Sequence, residues 1–126
     1  MSDGRPAIDS YRDLIVWQKG MELAVAAYRL TSRFPADERY GMTSQIRRSA
    51  ASVPANIAEG YGRDSPGSYA HHLRIAQGSL KEFETHVLLA NHVDLASAEA
   101  IKPSMEQAAE IGKMLRSLIR SIERQV

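Results

Sequence analysis

What most limits the folds open to this chain is a set of four apolar stripes, each stepping by three and four residues, with no alternating β-type stretch between them. The most telling of them is Met42, Ile46, Ala50, Val53, Ile57 and Tyr61, because it keeps its phase straight across Pro54. A helix that stopped at Val53 would have no reason to hold that phase, so the spacing predicts one continuous, kinked helix. An interior proline removes a backbone hydrogen bond and crowds the carbonyl at Ala50, at a cost of about 3 kcal/mol. A bend that wraps the helix around its neighbours offsets that cost.

The other stripes complete an all-helical reading. Upstream, Leu14, Trp17, Met21, Ala24, Tyr28 and Thr31 form one seam, and Val16, Gly20, Leu23, Ala27, Leu30 and Phe34 run beside it. Two seams on one helix predict a central helix or a subunit interface. Pro35 ends that helix. Gly60 and Gly62 are expected to close the second helix through the left-handed conformation, and Ser65 with Pro66 opens the third. The third stripe is Tyr69, Leu73, Ala76, Leu80, Phe83, Val87 and Ala90; the fourth, after a cap at Ser97, is Ile101, Met105, Ala108, Gly112, Leu115, Ile119 and Ile122, widened by Ile111, Met114 and Leu118. Whether the fourth helix starts before or after Pro103 is left open by the pattern. Trp17, Leu73, Leu80 and Phe83 are expected in the core.

Four helices with short connections imply an antiparallel up-down-up-down four-helix bundle over residues 12–126, preceded by a flexible tail at 1–11. The widened stripes on the first and fourth helices predict a bundle that does not finish burying itself, hence a homo-oligomer. The 126 residues suffice for one domain. No apolar run is long enough to span a membrane and no secretory signal is evident, so the expected location is cytoplasmic. The absence of cysteine excludes disulfides, zinc ribbons and thiol nucleophiles. A net charge of +1 gives no global attraction to nucleic acid, so any such binding must come from the placement of charge.

Several motifs together resemble a known family. Val16-Trp17-Gln18-Lys19, Gln45-Ile46-Arg47-Arg48, Asn56-Ile57-Ala58-Glu59-Gly60 and Ala76-Gln77-Gly78-Ser79-Leu80 look like the proteins named for open reading frames within intervening sequences of bacterial 23S ribosomal RNA genes. The resemblance spans about residues 12 to 122. It implies a four-helix bundle assembled as a ring-like homopentamer, similar to the basic accessory protein of diversity-generating retroelements, which engages nucleic acid and a reverse transcriptase.

Two basic constellations are candidate contacts to RNA or DNA. One is Arg47 and Arg48, the second of them on a polar stripe of Gln45, Arg48, Ser52, Asn56, Glu59 and Arg63. That stripe has a blander reading, in which it hydrogen-bonds neighbouring helices across the small residues Ser49, Ala50, Ala51, Ala55 and Ala58. The other is Lys113, Arg116, Arg120 and Arg124, where residues 113–126 carry four positive charges against Glu123 alone, a local +3. The helix dipole favours cations there, and repetition around a ring would concentrate them into a field that attracts phosphate.

The catalytic inventory is poor. Glu-x-x-His and His-Glu-x-x-His are absent, and Glu82 with His86 is an ordinary i,i+4 pair, so no metal or cofactor is expected. In Gly62-Arg63-Asp64-Ser65-Pro66-Gly67, Ser68 stands where a phosphate loop needs lysine. The reading is therefore a non-enzymatic binding or scaffolding protein with no small-molecule substrate and no membrane partner. The alternatives are a ribonuclease using Arg63 and His71, or a purely protein-binding scaffold.

Overall fold

In the computed structural model, residues 8–125 are described. They form four helices, α1 (Ile15–Thr31), α2 (Met42–Tyr61), α3 (Pro66–His92) and α4 (Ala98–Glu123), with no strand among them. Each helix packs on the next in sequence and α4 returns to pack on α1, while the Cα atoms of α1 and α3, and of α2 and α4, stay more than 8 Å apart across the core. The inward faces of all four meet in one core that includes Leu23, Ile46, Ile57, Leu73, Phe83 and Leu115. Residues 1–7 of the expected tail lie outside the described residues. Its end is ordered, because Ser10 caps a single 3-10 turn, Tyr11–Asp13, and the Asp13 carboxylate returns to the Ser10 amide.

α2 runs unbroken through Pro54, as its stripe requires. The proline is buried, and its Cβ lies 3.3 Å from where a side chain on Gly20 would begin. The ring that costs α2 a hydrogen bond therefore fills the space that glycine opens on α1. The far end of α2 is built the same way. Gly60 is helical and buried, and Gly62 caps the helix at φ −80° and ψ 0°, so neither is used for the expected left-handed closure. Gly60 is needed for close approach, since a Cβ there would lie 2.8 Å from His72 Cβ and 3.1 Å from Tyr69 Cδ1.

The connections follow their capping chemistry. Glu38 Oε1 accepts the Met42 amide at 3.2 Å, serving the helix start that Gly41 cannot cap with a side chain. Ser65 Oγ accepts from Ser68 with Pro66 at the first helical position, and Ser97 Oγ accepts from Ala100. The cap at Ser97 starts α4 before Pro103, which the helix then carries within it. At the end of α3 the left-handed residue is Asp94, φ 64°, and Leu95 donates back to the Ala90 carbonyl at 2.8 Å. This is the chain reversal that a Schellman cap makes.

Three expectations about burial are corrected. Trp17 is half-buried, edge-on to Tyr11 with ring centroids 5.2 Å apart, because α1 turns its Val16–Gly20–Leu23–Ala27 seam inward and leaves the other partly outside. On α4, Ser104 and Ile111 take the inward places instead of Met105 and Gly112. Within the helices, the exposed large apolar side chains lie on α1 (Ile15, Met21, Val25, Tyr28) and α3 (Ile75, Leu88, Leu89), not on α4, where Met114 and Leu118 pack against the core.

Gly60→Ala is expected to destabilise the protein by about 1–3 kcal/mol, through overpacking against α3. Gly78→Ala, in mid-helix with nothing within 4 Å of the added methyl, should stabilise it by about 0.5–1 kcal/mol. Urea denaturation of both variants checks the opposite signs.

Candidate nucleic-acid interface

The paired arginines sit near the start of α2, where a 3.6-residue repeat turns successive side chains about 100° apart. Arg47 points at α1. Its Nε donates to Thr31 Oγ1 at 2.8 Å, Thr31 passes its own proton to the Ala27 carbonyl, and the guanidinium carbon stands 4.4 Å from the centre of the Tyr28 ring. These contacts fix a cation that would otherwise sample many rotamers, and the ring face adds attraction. Arg48 is exposed. Both line an open groove of about 380 Å³ together with Tyr28, Arg39 and Tyr40.

Lys113, Arg116, Arg120 and Arg124 are all exposed and line one open groove of about 560 Å³ along α4, with Ser117 and Glu123. Glu123, the one acid of that segment, is engaged from the other side by Arg74 of α3. Arg116 also borders a second groove of about 380 Å³ between α3 and α4, where Arg74 and Lys81 lie. Each of these α3 cations has a carboxylate partner, Glu123 for Arg74 and Glu84 at 3.1 Å for Lys81. Sequence reasoning missed Arg74 and Lys81, since each is an isolated cation on the exposed side of α3 and only packing sets it beside the α4 row.

The two arginine groups are not brought together within one chain. Ser52 of α2 meets Ser79 of α3 at 2.7 Å, and Leu80 packs against Gly112 of α4, which puts those three positions at one level. Arg47 and Arg48 precede that level on α2. Arg116, Arg120 and Arg124 follow it on α4, toward the end where Glu123 meets Arg74.

The rest of the polar stripe on α2 works within the fold. Asn56 Nδ2 donates to both the carbonyl and hydroxyl of Ser52, while Arg63 pairs with Glu59 at 2.6 Å. His72 Nε2 approaches the same Glu59 oxygen at 3.4 Å, with its Nδ1 on the Ser68 carbonyl. The histidine beside Arg63 and Glu59 is therefore His72, not His71, which is exposed and stacks edge-on against His72. An i,i+3 or i,i+4 search within one helix could not find a pair that spans α2 and α3. Among the described residues no three His, Asp or Glu side chains gather where a metal ion could be held, and no helix is long and apolar enough to cross a membrane.

Comparison with known proteins places these features in a lineage. The profile of the 23S rRNA-intervening sequence proteins matches residues 12–117. A crystal structure of a protein of unknown function from the S23 ribosomal protein family of Bacteroides thetaiotaomicron superposes with a TM-score of 0.75 at 28% identity, covering 83% of this chain and 98% of that one. No curated protein matches.

The Glu59 contact has a testable pH signature. The Arg63 hydrogen bond, opposed by desolvation and aided by His72, holds the Glu59 carboxyl below its ordinary value of 4.5. A carboxyl lowered in the folded state contributes stability that is complete above its unfolded value and lost as pH falls through the folded one. The urea midpoint of the wild type should thus fall more steeply than that of Glu59→Gln between about pH 5 and pH 3, with the two converging at the acid end. The effect is small at an exposed pair, and parallel curves would show that the contact contributes nothing.

Proposed function

This chain belongs to the 23S rRNA-intervening sequence protein family, and from that premise we propose a non-enzymatic, homo-oligomeric binding module that engages RNA or DNA through its arginine surface. The observation that carries the reading is the α4 groove, in which four exposed cations face outward while their one acidic neighbour is turned to Arg74. Phosphate backbones bind such rows through counterion release, with little demand on shape.

The assembly is an antiparallel up-down-up-down bundle in a ring, with five copies as the family resemblance implies. The pairing of Gly20 with Pro54, and of Thr31 with Arg47, supports opposite directions for α1 and α2. The apolar side chains left outside on α1 and α3, helices that lie diagonally across the bundle, support a head-to-tail contact between two different faces. A ring repeats the basic row once per copy, which offsets the near-neutral charge of the monomer. The setting is cytoplasmic, and neither metal nor cofactor is required. A protein scaffold is the second reading, favoured by Arg47, whose contacts to Thr31 and Tyr28 suit a structural part.

Light scattering should give an oligomer mass, and the same sample should bind labelled structured RNA and duplex DNA with affinity that falls steeply between low and physiological salt. Reversing Arg116 and Arg120 to glutamate should weaken binding and reduce the salt slope by about 2 or more. Affinity unchanged by that double reversal removes the α4 row from the interface. RNA cleavage by pure protein, lost in His71→Ala, would overturn the non-enzymatic reading.

A further inference from the structure

The groove at the α1–α2 corner differs from the α4 row in one respect, the presence of aromatic rings. Tyr40 is 89% exposed, the most open of the large hydrophobic side chains among the described residues, and it shares the groove with Tyr28 and three arginines, Arg39, Arg47 and Arg48. No acidic side chain lines this groove, and none of the three arginines has a carboxylate partner among the described residues. Glu38, next to Arg39 in sequence, has its Oε1 on the Met42 amide and is thereby held to the backbone.

The loop that carries Tyr40 is also fixed. Arg39 donates its amide to the Ala36 carbonyl at 3.2 Å and Gly41 donates to Glu38 at 3.0 Å, so the ring projects from a hydrogen-bonded turn. Arg47 is preorganised by Thr31 and Tyr28, and its Nε is the guanidinium nitrogen those contacts use, which leaves the terminal nitrogens for a phosphate. A solvent-facing ring on a hydrogen-bonded turn, beside a held guanidinium and two further cations, is how single strands are bound: the cations track the backbone and the ring stacks a base. A duplex, whose bases are already stacked on one another, has no free face to offer the ring.

We infer that this corner binds unpaired nucleotides, with the base stacked on Tyr40 and the phosphates on Arg39, Arg47 and Arg48. The inference rests on the nucleic-acid reading above and specifies the ligand class for a site apart from the α4 row. It predicts a preference that the α4 row by itself does not, since phosphate contacts alone favour the higher charge density of a duplex.

Fluorescence anisotropy of the full chain with a labelled thymidine 12-mer, a uridine 12-mer and a 12-base-pair DNA duplex tests it. Tyr40→Ala should weaken binding of the single strands about fivefold to a hundredfold, the range of one lost base stack, and leave the duplex unchanged. Tyr40→Phe should restore wild-type affinity, because the ring face is kept. The thymidine and uridine strands differ in the 2′-hydroxyl and the 5-methyl but share the pyrimidine face, so a stacking site loses affinity for both in Tyr40→Ala. Unchanged single-strand affinity in Tyr40→Ala, or an equal loss for strand and duplex, overturns the stacking site while leaving the α4 interface standing. A wild type that binds none of the three at low salt overturns both.

Discussion

The fold depends on how closely the backbone of α2 is approached at two points. At Pro54 the approach is made by α1, through Gly20, and at Gly60 it is made by α3, through Tyr69 and His72. Each contact uses a glycine to bring a backbone within reach of a neighbour's side-chain base, and each lies on the same helix. On that helix Ile46, Val53 and Ile57 are fully buried. A proline that would break an isolated helix is thus retained where its ring completes the packing of a neighbour, as tertiary burial routinely overrides local propensity.

The same packing decides which charges are available. Formal net charge is only +1, yet several acids are committed to particular cations, Glu110 to Lys19, Glu59 to Arg63 and Glu123 to Arg74. Two of these pairs join different helices. Each removes a carboxylate from competition for arginine, and the cations left over include two groups, one along α4 and one at the α1–α2 corner. Such exposed pairs add little to stability. Their larger effect is on the pattern of the surface potential that an approaching polyanion meets.

Burial is also incomplete in a patterned way. α1 carries two seams and buries one, so Met21, Val25 and Tyr28 remain outside, while Leu88 and Leu89 of α3 do the same on the helix diagonally opposite. Scattered apolar exposure is ordinary, but rows at helical spacing form contiguous faces. Tyr28 belongs to one such face and also holds Arg47, so the apolar and basic features of α1 and α2 share a residue.

Much of this was legible in the residues. The four helices, the passage of α2 through Pro54 and the caps at Ser65 and Ser97 follow from spacing and local hydrogen-bond chemistry, which act over a few residues and leave their mark in the chain. The α4 row was legible for the same reason, as one helix face. Tertiary structure alone decided which seam of α1 faces inward, that Gly60 serves close approach instead of a left-handed turn, that His72 and not His71 meets Glu59, and that Arg39 and Tyr40 join Arg47 in one groove. Those outcomes depend on distances between helices, and a periodicity, which describes one helix at a time, contains no such distance.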